Sequence, residues 1–417
     1  MAHIRERFLK KILFSQLSWS PAVGVFGLRQ VGKTTLVKEI TTRLHGETET
    51  FDREATKQSA QQNPIGFCTR SRLVSIDEAQ RVPKIFFAIK EKIGTNRKPG
   101  QFLLTGSIRF TLKKDIQEAL TGRILLNELL PFSAAEIKKI KQSSFLELVF
   151  DAAKNSVSTR KVLSKVLSNS YSRLTIMDLN LFVSRGGLPL SCFTRDNSIR
   201  KKWYEDYLEV LLSRDLVMVD ESLASVSIRQ GLQMLRTLAL WQGKEISITD
   251  LSDAGSVRPL VAKKYLQALE ALCVIESIFP IGRAAASTRR ARYEWKDIGL
   301  WNHVCLSAFA SLDHEPTLRL ALTQEFRSQL AFESKMVQWN FYRTHNFSYI
   351  PWIFQKGSQI VCMTTVLTES PKPYDYRSIK QFVEKEKHAI GIVLSTANCN
   401  LVELSPRVWM LPYTCVF

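Results

Sequence analysis

Apolar positions recur on two periods along this chain, and each change of period marks an element. Ile4, Phe8 and Ile12 stand at helical spacing and predict an amphipathic helix packed on the first domain. Val23, Val25 and Phe26 form a short apolar run, the pattern of a buried strand, and Leu36, Ile40 and Leu44 predict a helix over 34–44. The polar stretch HGETETFDREATKQSAQQNP predicts loop with short structure. Two more apolar runs, Leu73–Ile76 and Phe102–Leu104, end in acidic or small polar residues, and another comes after Leu120-Thr121-Gly122-Arg123. Strands alternating with helices predict a parallel sheet covered by helices over residues 1–133.

Beyond this point the period is mainly helical. Residues 134–225 predict helices, broken at Gly186-Gly187-Leu188-Pro189. Residues 226–300 predict a winged helix. Its three helices are Ile228–Leu240, one opening at Ile248, and Pro259–Leu272, and the runs CVIESIFPI and ARYEW flank GRAAASTRR as the wing. Residues 301–417 predict a further small α/β unit, entered near Leu318. The fold class is therefore α/β: a parallel-sheet domain, a helical and winged-helix region, then a second α/β domain.

Candidate chemistry concentrates in the first domain. Gly27-Leu28-Arg29-Gln30-Val31-Gly32-Lys33-Thr34 fits G-x-x-x-x-G-K-[ST], the phosphate-binding P-loop, between a predicted strand and a predicted helix. Two glycines let the backbone curl so that amide N–H groups point inward, and the positive helix end adds to the anion site. Lys33 would reach the β- and γ-phosphates, the Thr34 hydroxyl would ligate Mg²⁺, and Thr35 completes the phosphate-facing turn. A glycine turn without ligand is the plain alternative. Leu73-Val74-Ser75-Ile76-Asp77-Glu78 has the form of a Walker B strand, with Asp77 lying 44 residues after Lys33. Asp77 would hold Mg²⁺ through water, and Glu78 would polarise the attacking water. The competing reading is a strand that ends in a solvated acidic turn.

In order, GLRQVGKTTL, SIDEAQRVP, FLLTGS, LTGR and LLPFSAAE resemble the signatures of a large group of bacterial and archaeal AAA-type predicted ATPases. Leu28 replaces that family's usual proline, a change that leaves contacts made by backbone amides intact. The resemblance implies an AAA-type P-loop NTPase core binding Mg·ATP. It also implies a polar residue between the two Walker strands that touches the γ-phosphate or water: Ser107 first, Thr105 second, against an ordinary turn. Arg123 would stabilise transferred phosphate charge, in cis or from a neighbouring subunit, or is a plain surface arginine. The resemblance continues through Arg185-Gly186-Gly187-Leu188-Pro189, Trp203-Tyr204-Glu205-Asp206-Tyr207-Leu208, Ser213-Arg214-Asp215 and Asp297-Ile298-Gly299-Leu300, in a half of unassigned function. There it implies a restriction-endonuclease-like core with a helix Glu, a strand E-V-D and a following E-x-K. Glu325 stands near the helix position, but Phe347–Trp352 and Gln359–Thr364 carry no acid. Without two carboxylates a Mg²⁺ site does not form. The expectation is a nuclease-like fold without nuclease chemistry.

Composition narrows the partners. With 417 residues, 45% hydrophobic and 23% charged, the chain is globular, and its length suits two to four domains. The net charge of +19 invites a polyanion. Residues 1–150 carry 25 basic against 14 acidic side chains, 151–280 carry 17 against 14, and 281–417 carry 16 against 11. DNA would thus meet either the basic first domain or the wing arginines Arg283, Arg289, Arg290 and Arg292, because helix three presents only Arg258, Lys263 and Lys264. A protein-docking winged helix and a merely basic protein are the alternatives. No apolar run reaches the ~18 residues of a membrane span, and the basic N-terminus is too short in apolar residues for a signal peptide. Seven scattered cysteines indicate neither zinc nor a disulfide framework, so the cytoplasm is the default. No N-K-x-D signature points to guanine. The leading expectation is an ATPase driving its C-terminal half. An ATP-gated binding switch with little turnover comes next, and a metal-dependent nuclease last. AAA-type relatives suggest an oligomer by analogy only.

Overall fold

A computed structural model of the chain describes residues 5–69, 72–108, 121–154, 159–170, 174–282, 291–306, 311–333, 337–344, 348–396 and 401–417. Five strands form the first sheet: β1 (Ala22–Phe26), β2 (Glu47–Thr50), β3 (Val74–Asp77), β4 (Phe102–Gly106) and β5 (Ile124–Glu128). Their order is β2-β3-β4-β1-β5 and every pairing is parallel. All five carboxyl ends therefore share one edge, where open α/β sheets bind ligands. β2 and the helix Glu54–Gln62 arise from the polar stretch. A sheet-edge strand has one side toward solvent, which is why its sequence carries no apolar run. Val74, Ile76, Phe102 and Leu104 pack with Ile85, Phe86 and Ile89 on one face, while Val23, Val25 and Leu103 face the principal core.

The first helix is Leu9–Leu17, and its buried stripe is Leu9, Leu13 and Leu17. The predicted stripe sat one residue earlier; Ile12 is half-buried and Ile4 lies outside the described residues. Both sets share the four-residue spacing, and spacing alone does not choose between adjacent faces.

Helices occupy most of 134–225. Next come helices Ile228–Leu240, Ile248–Gly255 and Pro259–Ala271, and the antiparallel pair β6 (Ile275–Ile278) and β7 (Arg292–Trp295). Arg283, Arg289 and Arg290 lie outside the described residues. Arg292 is no phosphate contact. It is fully buried, its Nε 2.9 Å from Glu294 Oε1, and its Nη1 donates to the Tyr349 hydroxyl at 2.6 Å. On the third helix Arg258 and Lys263 are exposed, whereas Lys264 pairs with Asp220 at 3.1 Å.

The last sheet is mixed: β8 (Val337–Arg343), β9 (Tyr349–Lys356), β10 (Gln359–Val366), β11 (Ala389–Ser395), β12 (Val402–Ser405) and β13 (Val408–Pro412), in the order β12-β13-β11-β10-β9-β8. Among the described residues no helix is long and apolar enough to cross a membrane.

The helix Glu315–Glu333 runs through the middle, and its residues Thr317–Gln329 are buried apart from Arg319, which is half-buried. An enclosed helix must satisfy every polar group it carries. Gln324 accepts from Ile298 N at 3.1 Å and donates to Phe132 O at 3.2 Å. Arg327 donates to Glu276 at 2.8 Å and to Trp295 O at 2.7 Å. Thr323 accepts from the Trp352 indole at 3.0 Å, and Gln329 bridges Leu146 N (3.0 Å) and Val416 O (2.8 Å). The principal apolar core is accordingly continuous from Leu9 to Phe417.

Beside this helix, the Arg185–Pro189 and Asp297–Leu300 stretches meet. Buried Asp297 accepts from Gly187 N at 2.7 Å and from Leu300 N at 2.8 Å. A Cβ on Gly186 would lie 2.6 Å from Gly299 N, and one on Gly299 2.6 Å from Arg185 O, so only glycine lets the two stretches approach this closely.

Glu325 has a structural partner in place of a metal. It is buried and accepts from Ala134 N at 2.7 Å, in the first turn of the helix Ala134–Lys138. Burial pushes its carboxyl up to about 8; the bond from Ala134 opposes the shift and nearby Glu136 adds to it. The folded protein thus holds this proton more tightly than the unfolded chain. Its contribution is complete below the ordinary glutamate range and is lost as pH rises toward about 8. Glu325→Gln keeps an acceptor for Ala134 and should flatten that decline; urea midpoints of both proteins between acid and mildly alkaline pH measure it.

Candidate active site

The P-loop curls where β1 leaves the sheet. Gly27 packs so tightly that a Cβ would lie 2.4 Å from Leu129 O. Gly32, left-handed, is the N-cap of the helix Lys33–Arg43 and supplies no side-chain cap. The first-turn N–H groups therefore open into a cavity of about 860 Å³ lined by Arg29, Gln30, Val31, Gly32, Lys33, Thr34 and Thr35. Leu28 is buried beneath it. Lys33 is buried, and its ammonium donates to Gly27 O (2.9 Å) and Leu28 O (2.8 Å), carbonyls of the same loop. Burial pulls its pKa below the usual lysine value, opposed by the fields of Glu78, Asp77 and Asp215.

The Walker B strand lies one strand away from β1, across β4. Thr34 Oγ1 is 2.9 Å from Asp77 Oδ2 and 3.1 Å from Oδ1. A hydroxyl and a carboxylate at this separation form the hard-oxygen pair that Mg²⁺ takes with phosphate oxygens and water. Thr105 donates to Asp77 and accepts from Glu78 N at 3.3 Å; it is fully buried. Glu78 has φ 55°, a left-handed conformation uncommon for a non-glycine residue, and lines the cavity. Its Oε2 accepts from Ser107 Oγ at 3.2 Å and from Gln80 Nε2. Ser107 thus stands beside Glu78, while Thr105 faces Asp77.

Arg123 falls outside this constellation. It precedes β5, whose Ile124 pairs with Ala22, whereas the P-loop comes after Phe26 at the other end of β1. Four residues of strand separate the two ends by roughly 13 Å. Its Nη1 donates to Thr121 O at 3.1 Å. Within one chain Arg123 therefore lies at the opposite end of β1 from the P-loop, a placement that the motif's position in the sequence does not reveal.

The chain's later half builds the opposite wall, from Pro189, Leu190, Phe193, Thr194, Arg214, Asp215 and Met218. Trp203 Nε1 donates to Gln30 Oε1 at 3.0 Å, and Arg29 Nη1 donates to Asp215 Oδ1 at 3.1 Å. These two P-loop side chains occupy variable positions of the motif. Their partners lie in the Trp203–Leu208 and Ser213–Asp215 stretches, which were legible as motifs but carried no sign of their neighbours.

The profile of the AAA domain family matches residues 20–138, and that of a domain of unknown function matches residues 176–311. The first domain is an AAA domain. Uncharacterized proteins of Mycobacterium bovis and Mycobacterium tuberculosis are each 27% identical over 266 residues, 63% of this chain and 50% of theirs. The chain spans about half the length of these curated relatives. A Walker-type ATPase of Pyrococcus abyssi is 15% identical over 72% of this chain and 96% of its own, with a TM-score of 0.42. The RuvB Holliday junction branch migration motor of Thermotoga maritima is 17% identical over 68% and 90%, with a TM-score of 0.31. Neither likeness bears on what this chain does. The AAA domain contains the P-loop and both acids, and the wall from 189–218 falls within the domain of unknown function.

Since Arg123 lies at the far end of the sheet, Arg123→Ala should leave the nucleotide Kd unchanged in a sample that sediments as a single chain. A weakened Kd under that condition would return Arg123 to the site.

Proposed function

We propose that the protein is a Mg²⁺-dependent ATPase whose nucleotide state is coupled to its C-terminal half. The observation that carries the reading is Lys33. It is a buried ammonium hydrogen-bonded to two carbonyl oxygens, beside an uncapped helix N-terminus and the Thr34–Asp77 pair. A buried cation is costly without an anion, and an anion of several oxygens fits this cradle. Lys33 would exchange the Gly27 and Leu28 carbonyls for phosphate oxygens. Thr34 and Asp77 would hold Mg²⁺, which when bound neutralises phosphate charge. Glu78 would take up and orient water, and Ser107 would keep its carboxylate in place. Phe132, Leu190, Phe193 and Met218 offer the base an apolar wall. The cytoplasm is the proposed location, the default for a chain whose cysteines are scattered.

A slow ATP-gated switch is the second reading. It is favoured by the engagement of Glu78 Oε2 with both Ser107 and Gln80, which restrains the carboxylate needed for rapid turnover. The coupled partner is DNA or protein, met through the basic AAA domain or through the three helices and β6–β7 hairpin, read as a winged helix. Nuclease chemistry is not proposed, since Glu325 is committed to Ala134 and β9 and β10 contain no acid.

Lys33→Ala should abolish ATP binding, and Glu78→Gln should retain binding while turnover falls by about 10²- to 10⁴-fold, the usual contribution of a general base. Equilibrium binding together with steady-state phosphate release measures both. Wild-type turnover in Lys33→Ala would sink the assignment. A Glu78→Gln protein no slower than an already feeble wild type would select the switch. For DNA, Arg289→Ala/Arg290→Ala should lower the slope of log K against log salt by about two units if both contact phosphate. An unchanged slope transfers the contact to the AAA domain, and no affinity at low salt leaves protein docking.

A further inference from the structure

We propose that Asp215 is a positioning residue of the nucleotide site, holding the guanidinium groups of Arg29 and Arg214 toward the polyphosphate. This inference rests on the ATP-binding reading and adds to it a charged contribution from the C-terminal half.

Asp215 is an acid on the wall of a cavity read as an anion site, where a lone carboxylate would repel its ligand. It is 5% exposed, so it is largely withdrawn from water. Two arginines offset it. Arg29 Nη1 lies 3.1 and 3.3 Å from its two oxygens, and Arg214 Nε and Nη2 donate to Oδ1 at 3.1 and 2.9 Å. Arg29 Nε and Nη2 and Arg214 Nη1 have no further partner among the described residues. Both side chains line the cavity together with Lys33, Thr34 and Glu78. One acid and two arginines give a net charge of +1, with donors left over on planar groups suited to phosphate oxygens.

The backbone supports the same reading. Asp215 ends a wide π turn, Leu211–Asp215, between the helices Asn197–Val210 and Leu216–Val219. Such a turn interrupts an otherwise continuous helical run and commonly re-aims side chains at functional sites. Burial raises the Asp215 pKa, and the guanidinium of Arg214 opposes that shift most strongly. The contacts also tie the P-loop to the C-terminal half, which gives the two halves a shared group that responds to phosphate.

The test is the affinity of the full chain for a fluorescent ATP analogue with Mg²⁺, with inorganic tripolyphosphate as competitor, alongside melting temperatures. Asp215→Asn should weaken binding of both probes by about tenfold or more, the scale of a charge-assisted hydrogen bond, with the melting temperature little changed. Arg214→Ala, altering a half-exposed side chain, should do the same and covers the case in which Asp215→Asn does not fold. In an Arg29→Ala/Arg214→Ala background Asp215 is left as a lone carboxylate, so Asp215→Asn should there leave affinity unchanged or raise it; a further loss of affinity in that background overturns the positioning role. Unchanged or tighter binding by Asp215→Asn, with Lys33→Ala still abolishing it, overturns this inference alone. If the wild type binds neither probe, the ATP-binding reading fails and this inference fails with it.

Discussion

The helix Glu315–Glu333 is enclosed for most of its length, and that single constraint orders the molecule. A polar group inside protein that lacks a partner costs about 1–3 kcal/mol, more than an ordinary hydrogen bond contributes net. Gln324, Glu325, Arg327 and Gln329 must therefore be satisfied, and their partners belong to separate parts of the chain. Phe132 and Ala134 lie just beyond the AAA sheet, Glu276 and Trp295 belong to the hairpin, and Leu146 and Val416 flank the last sheet. Satisfying one helix fixes the relative placement of all three. The Gly187–Asp297 contact reinforces this joint at the segment that leads into the cavity wall.

That placement shapes the candidate active site. A P-loop by itself offers one concave side. Here the second side comes from residues 189–218, and the P-loop side chains Arg29 and Gln30 are bonded to Asp215 and Trp203. A rearrangement of the loop would have to break these two bonds or carry the later half with it, which is the physical basis of the coupling proposed above. Two acids on the cavity wall are held by arginines, Asp215 by Arg29 and Arg214 and Asp52 by Arg81 at 2.9 Å.

The last domain illustrates a different use of polar residues. Where an acid would serve a metal, Glu325 closes a helix N-terminus, and the strands beside it are filled with Ile350, Trp352, Phe354, Val361 and Met363. Arg292, at the base of the predicted wing, is likewise absorbed by Glu294 and Tyr349. Both residues were legible as chemically capable. Burial redirected that capacity to the joints between elements.

Local pattern determined much of this protein. The strand–loop–helix around Gly27–Thr34, the acidic strand end at Asp77-Glu78, the order of strands and helices in the first domain, and the three helices ahead of the hairpin arise from apolar periodicity and turn residues, which act over a few positions. Tertiary structure alone decided the rest. It placed Arg123 at the far end of the sheet, moved the buried stripe of the first helix to Leu9, Leu13 and Leu17, buried Arg292, and brought Asp215 to Arg29 across 186 positions. The physical reason is range. Periodicity reports which side of an element is apolar, whereas the partner of a charge depends on which distant surface that element is packed against.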